Sequence, residues 1–596
     1  MGEHMIEPGK ISALPSLPGV RRDGTVTDSD FYNAAQWVRF IRADKGRPRK
    51  MGGYQLSTDL LSGIPRGVLV WSHQFTNRIV VFSEVGVQYV DVDTNGLGGN
   101  VTDITPAGYT DNPATLWSFD VLFDAAGGSN GTVLLCTPMQ TMTNMDDPTL
   151  NKVYYTVLGA NPVAQLTQIA DVNALAPGGL FCTPPYSVLL GNDGNVTWSD
   201  ANLPQNYGGA GSNPGGDQGT ARVTGSKLVK GLPMRSGSGP GGMLWSLDSV
   251  IRMDFIGGSA IFRFSQICSG ESSLLSQNAV IQYNGNWYWA GINKFFISNG
   301  SQVSELPNDL NKNWFYDNLN RAYRQKVWVL RMPRWGEIWW FFPFGDSTEC
   351  NYAVIFNVNL NTWYDVKLSR SSGTTPSVLD HPVMTTSNPG TSVNLTYTVS
   401  AGTVAVGDYV QGNVSGAIGA VQLISGAGPF VAQVIVTNGT FTGEAFHDTT
   451  SGATGTITAV QSLYALYLHE NGQDHTGKNP DHSDAIPAWF ETCNFGLPTG
   501  GTQVAATEGV DLQTNLVRIE PDFVMQGDMT LNVITREFAQ SPDVVSTDYP
   551  FDGTTGKIDV HVQGREMRLK FTSNTQGGFF ETGAVLMNLE PGDVRP

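Results

Sequence analysis

The stretch AVIQYNGNWYWAGINKFFISNG, residues 279–300, decides the fold class of this chain. It contains three strand-like runs, Ala279–Tyr283, Trp287–Ala290 and Phe295–Ser298, separated by two short turns rich in Asn and Gly. Asn-Gly turns between aromatic and β-branched residues are the strongest short-range signal for hairpins, because Asn and Gly tolerate the positive φ that tight turns require. The stretch therefore predicts an antiparallel meander of the size of one propeller blade.

The same pattern recurs along most of the chain. Short runs of β-branched and aromatic residues, bounded by Gly, Asn, Asp or Pro, follow one another from Gly67 to about Asp365 and resume after Ala488. Such spacing favours a sandwich, a barrel or a propeller. Groups of runs repeat at roughly forty to fifty residues, which is typical of propeller blades. We therefore predict an all-β protein built on a β-propeller, with a single short helix over Asn308–Asn318.

Composition limits the function classes. With 596 residues, the chain is too long for one ordinary core. Its formal net charge of −18 disfavours a protein that binds DNA by neutralising phosphates. Such a charge suits solubility, and it also suits an acidic wall past which nucleic acid slides without sticking.

Cysteines and terminal segments give expectations about location. The five cysteines are far apart and form no CxxC pair, which predicts free thiols made in a reducing cytoplasm. The opening residues MGEHMIEPGK lack the apolar core of a signal peptide. No window approaches 18 uninterrupted apolar residues, so we expect no membrane span.

Composition shifts divide the chain into four parts. Residues 1–60 hold a basic, Pro-containing segment that we interpret as an extended N-terminal docking arm, and residues 61–389 hold the first part of the propeller. Between Ser371 and Gly477 there is no Lys or Arg. Within that stretch, residues 390–460 repeat internally at an offset of 36 and predict a small inserted β domain. Residues 461–596 complete the propeller and add C-terminal strands.

No catalytic motif is evident, so we expect no enzyme, no cofactor and no metal. His469, His475 and His482 have spacings that match no familiar metal site, and a polar loop is the preferred interpretation. GNDGNVTW (191–198) resembles a sialidase Asp-box but is one residue short. The run Trp335, Trp339, Trp340, Phe341 and Phe342 could stack on sugars, although core packing is favoured.

The basic segment VRFIRADKGRPRK, Val38–Lys50, holds six of the nine Lys and Arg found in the first fifty residues. One interpretation is a strap with solvated cations. The other is a docking surface for a partner or for phosphate. Under the second interpretation the candidate residues are Arg39, Arg42, Arg47, Arg49 and Lys50.

Three stretches resemble one family of phage virion proteins. They are DGTVTDSDFYNAAQWVRFIRADKGRPRKMGGYQ (23–55), SLLSQNAVIQYNGNWYWAGINKFFISNG (273–300) and GREMRLKFTSNTQGGFFETGAVLMNLEPGDVRP (564–596). The first carries Trp37-Val38-Arg39-Phe40 and then Gly46-Arg47-Pro48-Arg49-Lys50-Met51-Gly52-Gly53-Tyr54. The family is that of the packaged-DNA-stabilisation, tail hub or nozzle proteins of short-tailed bacteriophages. The insertion at 390–460 lies outside the resemblance.

The resemblance implies a six-bladed β-propeller protomer in a homo-hexameric ring below the portal and adaptor proteins, located in the virion tail. Genomic double-stranded DNA would pass through its lumen without specific binding, and tail fibres or spikes would attach outside. Gly-rich loops at 206–218 or 231–243 are candidate gates. The alternative is a propeller protein that binds or hydrolyses host surface polysaccharide, because carboxylate pairs from distant strands leave no linear motif.

Overall fold

The computed structural model describes residues 10–27, 29–42, 46–73, 76–124, 131–139, 151–209, 216–234, 239–270, 273–307, 310–426, 428–477, 483–497 and 513–592. Within these ranges the protein is all-β, which confirms the predicted fold class. The described helices are short: Lys312–Asn318, close to the predicted position, and the 3₁₀ segments Gly258–Ala260 and Arg321–Lys326. No helix in these ranges is long and apolar enough to cross a membrane.

Six four-stranded antiparallel sheets follow one another, each made of consecutive strands. Sheet 1 contains Pro65–His73, Thr76–Ser83, Gly86–Val92 and Gly98–Asp103. Sheet 2 contains Leu116–Asp124, Gly131–Met139, Tyr154–Val157 and Thr167–Gln168. Sheet 3 contains Leu180–Thr183, Tyr186–Leu190, Asn195–Trp198 and Gly219–Arg222.

The second three sheets have the same organisation. Sheet 4 contains Leu228–Pro233, Gly241–Ser246, Ser249–Phe255 and Phe262–Ser269. Sheet 5 contains Val280–Tyr283, Asn286–Ala290, Phe295–Ser298 and Val303–Glu305. Sheet 6 contains Trp328–Met332, Glu337–Phe342, Tyr352–Asn357 and Thr362–Val366.

Sheet 5 is the meander predicted from residues 279–300. Val280 pairs with Trp289, and Trp289 pairs with Phe296, so the three predicted runs are adjacent antiparallel strands. The first turn depends on positive φ at Asn284 (49°) and Gly285 (78°). The aromatic side chains pack between sheets, as when the rings of Trp245 and Trp289 meet 5.7 Å apart.

A seventh sheet, whose two long strands continue into the insertion, joins distant parts of the chain. Its strands are Ser372–Thr374, the first residues of Val383–Ala401, the last residues of Thr454–His469, and Tyr54–Ser62. The strand Ser372–Thr374 contacts both Trp328–Met332 of sheet 6 and Pro65–His73 of sheet 1. The propeller-like array therefore contains one sheet more than the six that the resemblance implies.

Glycines let the first strands of neighbouring sheets approach closely. A Cβ on Gly67 of sheet 1 would lie 2.3 Å from the ring of Phe119 in sheet 2, and a Cβ on Gly231 of sheet 4 would lie 2.4 Å from Phe181 in sheet 3. Arg66 of sheet 1 forms a two-pronged ion pair with Glu349 of sheet 6, at 2.6 and 2.8 Å. Aromatic insertion thus connects successive sheets, and the ion pair connects sheet 1 to the loop between the second and third strands of sheet 6.

The insertion is a closed barrel with its own core, residues 392–462. Pairing runs from Val383–Ala401 through Phe430–Asn438, Ile418–Ser425, Tyr409–Gly412, Ala445–Asp448 and Thr454–His469 back to the first strand. Tyr409–Gly412 and Ala445–Asp448 begin 36 residues apart, which is the offset of the sequence repeat. They pair with each other about Gln411 and His447, so the two copies are related by a local two-fold.

The remaining described strands form a C-terminal unit of three larger sheets and one two-stranded sheet, which combine both ends of the chain. From the N-terminal part come Lys10–Ala13, Leu17–Val20, Phe31–Tyr32, Ala34–Gln36, Val38–Ile41 and Arg47–Lys50. From the C-terminal part come Ala488–Glu491, Thr514–Glu520, Phe523–Gln526, Met529–Arg536, Val544–Val545, Tyr549–Phe551, Ile558–Gly564, Glu566–Ser573, Phe579–Thr582 and Leu586–Pro591. Two short strands, His475–Thr476 and Ser483–Asp484, extend the seventh sheet.

The structure differs here from the expectation of an extended N-terminal arm over residues 1–60. Lys10–Ala13 pairs with Leu586–Leu589, Ala34–Gln36 pairs with Trp489–Glu491, and Tyr54–Ser62 belongs to the seventh sheet. An extended backbone needs partners for its N–H and C=O groups, and the C-terminal strands supply them. The core of the C-terminal unit also takes in Trp339 and Phe341 of sheet 6.

Candidate functional site

The predicted docking residues lie on one hairpin between the C-terminal unit and sheet 6. Val38–Ile41 pairs with Arg47–Lys50, with Arg39 opposite Arg49. Non-glycine residues in the left-handed region flank the first strand, Trp37 at φ 57° and Arg42 at φ 67°. Such conformations are uncommon for these residue types and persist only where the surroundings hold them.

Arg39 is buried with an exposed fraction of 0%. Its Nη1 and Nη2 donate to the two carboxylate oxygens of Glu470, both at 2.7 Å, and its Nε lies 3.0 Å from Oε1 of Glu337. Glu337 in turn accepts from Tyr364 Oη at 2.6 Å and Trp339 Nε1 at 2.8 Å. Arg39 therefore ties the hairpin to sheet 6 and to the chain that follows the inserted barrel.

Burial and charge set the pKa values of these carboxyl groups in opposite directions. Burial raises the pKa of Glu337, and the nearby Arg39 only partly opposes this shift. Burial would also raise the pKa of Glu470, but ion pairing with Arg39 and the Trp335 Nε1 bond outweigh it and leave that pKa below its usual value. Glu470 therefore carries the more strongly stabilised negative charge of the two.

Lys50 is also withdrawn from the surface. Its side chain is 1% exposed, and Nζ donates to the carbonyl oxygen of Gly578 at 2.7 Å. Burial lowers the pKa of Lys50, with Asp474 opposing the shift. In this conformation Arg39 and Lys50 are inside the protein, so neither can contact a partner directly.

Arg42, Arg47 and Arg49 reach the surface to different degrees. Arg42 and Arg49 share the carboxylate of Glu581, which lies 3.0 Å from Arg49 Nη1. Arg47 is partly buried beside Tyr32, where burial raises the pKa of the phenol and the Arg47 charge opposes it. Of the five predicted residues, Arg42 is the one with a largely exposed side chain.

Trp335 lies at the centre of an arginine cluster. The guanidinium carbons of Arg39, Arg49 and Arg334 lie 4.4, 5.0 and 4.8 Å from its ring centroid. Such positions allow cation–π attraction. With Arg42, these four arginines face the three carboxylates of Glu337, Glu470 and Glu581.

A cavity of about 430 Å³ opens beside this cluster and is named the junction cavity. It is lined by Phe40, Ile41, Arg42, Arg334, Trp335, Asn357, Asn359 and Leu360. The lining comes from the hairpin on one side and from two turns of sheet 6 on the other. A cavity with two cationic side chains and two amides on an apolar floor can receive an anionic group.

Sequence reasoning missed most of this arrangement. Arg334, Glu337, Glu470 and Glu581 carried no motif, and Trp335 was noted only as part of an aromatic run. Of that run, Trp339, Trp340, Phe341 and Phe342 are buried core residues, and only Trp335 is partly exposed. The signal in the sequence was charge balance. A basic run in an acidic chain indicates that carboxylates from other segments pair with its cations.

The histidines form an aromatic stack. Tyr54 lies between His469 and His475, with ring centroids 5.2 and 4.7 Å away. The Nε2 atom of His469 accepts from Arg370 Nε at 2.8 Å, so its lone pair is engaged. Burial and the Arg370 charge lower the pKa of both histidines. His482 lies outside the described residues.

The remaining predicted elements are placed only in part. In the Asp-box-like stretch, Asp193 Oδ1 accepts from the backbone N–H of Asn195 at 3.2 Å, and Gly194 has φ 81°, so the box forms a tight turn in sheet 3. The central residues of both candidate gates, 210–215 and 235–238, lie outside the described residues.

Comparisons with known proteins are limited. No family model and no curated protein matches the chain. Among solved structures, an exo-β-1,3-galactanase from Phanerochaete chrysosporium with galactose is similar, at 10% identity and a TM-score of 0.29, covering 90% of this chain and 100% of that one. A second structure of the enzyme, with β-1,3-galactotriose, gives 10% identity, a TM-score of 0.28 and the same coverage.

These comparisons correct one expectation. The sequence led us to expect a protein that is not an enzyme, whereas the similar structures are enzymes. The physical reason is that a carboxylate pair on separate strands of a β-fold leaves no linear motif, so a missing motif excludes no hydrolase. At these TM-scores the likeness assigns no reaction and no residue to this chain.

Proposed function

We propose that this protein is a ring-forming component of the tail of a short-tailed bacteriophage, a hub or nozzle that extends the DNA channel below portal and adaptor proteins. In this proposal six copies form the ring, retain the packaged genome and open for its ejection. Tail fibres or spikes attach to its outer face. The protein would be made in the host cytoplasm and act in the virion.

The observation that carries the proposal is the position of the three resembling stretches. The hairpin within residues 37–54 contacts the C-terminal stretch through Glu581 and Gly578. The same hairpin contacts sheet 6 through Arg39 and Glu337. Sheet 6 packs on the remaining stretch, residues 273–300, where Trp340 Nε1 donates to the Ala279 carbonyl oxygen at 3.1 Å. Stretches far apart in sequence thus build one continuous body, which supports a resemblance of whole folds.

Closure of the propeller is part of the proposal. Six sheets of consecutive strands equal in number the blades that the resemblance implies, and the seventh sheet is one more. We infer that the seventh sheet closes the ring, since its strand Ser372–Thr374 contacts sheets 6 and 1. A strand from the N-terminal part, Tyr54–Ser62, completes that sheet, and such closure would leave the outer faces of sheets 1 and 6 covered and only short, protected sheet edges in the ring.

Charge supports passage of DNA rather than its retention by binding. The net charge of −18 repels phosphate on average, and the counterion release that drives DNA binding needs clustered cations. The basic run of the hairpin does not supply them, because Arg39 and Lys50 are buried and Arg42 and Arg49 share Glu581.

The test is assembly. Native mass spectrometry and electron microscopy of the purified chain, alone and with portal–adaptor complexes, should show a ring of six subunits or joining of those complexes. The same preparation is assayed for release of reducing sugar from β-1,3-galactan. A stable monomer that does not bind the complexes would overturn the proposal. Hydrolysis of galactan by that monomer would establish the alternative function, a propeller protein that hydrolyses polysaccharide.

A further inference from the structure

We infer that the junction cavity binds a carboxylate side chain of an acidic segment from another protein. The cavity of about 430 Å³ lies between the hairpin and the two turns of sheet 6. Its volume falls within the range of roughly 300–1,000 Å³ that is usual for ligand sites, and sites of this kind favour junctions between structural units. The inference stands independently of the tail proposal, because the same groups would recognise an acidic segment of any partner.

Arg334 is the cation available for an incoming anion. It is exposed, and within the part of the chain that the structure describes no carboxylate lies within ion-pair distance of it. The charge of Arg334 helps to lower the pKa of Glu470, but Glu470 already accepts two hydrogen bonds from Arg39 and one from Trp335. The fold therefore leaves the guanidinium of Arg334 uncompensated at the rim of the cavity.

Arg42 supplies the second cation. It shares the single carboxylate of Glu581 with Arg49, so two guanidinium groups are balanced by one negative charge. Its backbone is held at φ 67°, a conformation uncommon for arginine, and its carbonyl oxygen accepts from the N–H of Gly46 at 2.7 Å. Strained residues cluster at ligand sites, and this one lines the cavity.

The far wall is preorganised for binding. Arg334 and Trp335 occupy a tight turn in which the Trp335 N–H donates to the Met332 carbonyl oxygen at 3.1 Å and Gly336 has φ 68°. The Asn357 side chain accepts from the N–H groups of Asn359 and Leu360, both at 3.0 Å, which fixes the second turn. Groups that are already ordered lose little entropy when a ligand arrives.

The shape favours a protein carboxylate over a DNA backbone. A duplex presents a row of phosphates and is held by many cations along an extended surface. This cavity offers only two cations, in a concave site. Ile41 and Leu360 also line it and would pack on an apolar residue beside the acidic one, and arginine binds carboxylates with charge-assisted hydrogen bonds.

The experiment uses the full chain and a fluorescein-labelled peptide of alternating Glu and Leu, followed by anisotropy at low salt. A peptide with Gln in place of Glu is the ligand control. The variants are Arg334→Gln and the double variant Arg42→Gln/Arg334→Gln. Arg263→Gln is the matched control, because it removes another exposed arginine (side chain 65% exposed), which lies on sheet 4 and far from the cavity lining in sequence. Thermal unfolding establishes that each variant is folded.

The acidic peptide should bind the wild type, and Arg334→Gln should weaken binding by about tenfold, the effect of losing one charge-assisted contact. The double variant should weaken it further, and Arg263→Gln should leave it unchanged. Equal binding by the wild type and the double variant, or no binding by the wild type, overturns the inference. Displacement of the peptide by a short DNA duplex in an Arg334-dependent way overturns it in favour of a phosphate ligand.

Discussion

Replacing Arg39 by methionine tests whether the buried ion-pair network holds the hairpin in place. The substitution keeps an unbranched side chain of similar length but leaves two carboxylates, Glu337 and Glu470, facing each other without their shared cation. Removing one partner of a buried ion pair costs about 3–5 kcal/mol, because the remaining charge stays buried and unpaired. We expect the free energy of opening of this region to fall by that amount at neutral pH.

Protonation of Glu337 gives a second way to work out the loss of opening free energy in Arg39→Met. The variant can relieve the buried charge by keeping Glu337 protonated, and holding a carboxyl of ordinary pKa in its acid form at pH 7 costs about 3.7 kcal/mol. A folded pKa above the unfolded one means that stability is present below the unfolded pKa and is lost as the pH rises. The loss of opening free energy caused by Arg39→Met should therefore fall to about 1 kcal/mol near pH 5.

Hydrogen exchange of amides in Val38–Ile41 and Glu337–Phe342, corrected for intrinsic rates, measures the opening free energy at both pH values. Arg42→Met is the control in the same hairpin, and the loss of its exposed ion pair should cost less than about 1 kcal/mol. The double variant Arg39→Met/Glu337→Gln should recover part of the deficit. A deficit below about 1 kcal/mol at pH 7, or one that does not shrink on acidification, would refute the reasoning.

Three further predictions concern packing, acid stability and the repeat. Gly53→Ala should cost about 3 kcal/mol by thermal unfolding, because its Cβ would lie 2.2 Å from the carbonyl oxygen of Asp474, whereas Gly99→Ala, with no atom within 4 Å, should change stability by less than about 1 kcal/mol. Burial opposes ionisation of Glu444. Hydrogen bonds donated by the Ser415 side chain and by the backbone N–H groups of Val414 and Ser415 outweigh this effect and lower the pKa of Glu444 to about 2. The inserted barrel should therefore lose stability, seen by hydrogen exchange, as the pH falls from about 4.5 to 2, and Glu444→Gln should weaken that dependence, with the remainder due to Asp448, where burial is likewise outweighed by hydrogen bonds that lower the pKa. Val414 is 85% exposed and matches a threonine in the second copy of the repeat. Val414→Thr should therefore change the free energy of unfolding of the barrel by less than about 0.5 kcal/mol. A loss above about 1 kcal/mol would contradict the local two-fold symmetry.

Local features of the fold were predictable from sequence because their causes are local. The turn at Asn284 and Gly285 follows from the φ values that these residue types tolerate, and the strands beside it follow from alternating β-branched and aromatic residues. The barrel repeat was visible because both copies kept the same offset between strand starts. Each signal lies within a window of a few tens of residues.

Contacts between distant segments were not predictable in this way. Tyr54–Ser62 pairs with Leu463–His469, and Lys10–Ala13 pairs with Leu586–Leu589. Neither strand has a sequence feature that identifies its partner. An extended segment with proline looks the same whether its backbone groups bond to water or to another strand. The sequence therefore indicated an arm, and the structure has strands that belong to several different sheets.

The same limit explains why the basic run suggested a larger positive surface than the structure has. A charge counted along the chain is a surface charge only if its carboxylate partners are absent, and here Glu470 and Glu581 come from the far end of the sequence. Burial of Arg39 and Lys50, and the sharing of Glu581 by Arg42 and Arg49, reduce the potential of the run, so a uniform attraction for phosphate does not follow from it. The two exposed cations that line the junction cavity are Arg42 and Arg334, and Arg334 is not part of the run. For the acidic partner that we propose, the geometry of the two cations would matter more than the total charge of the segment.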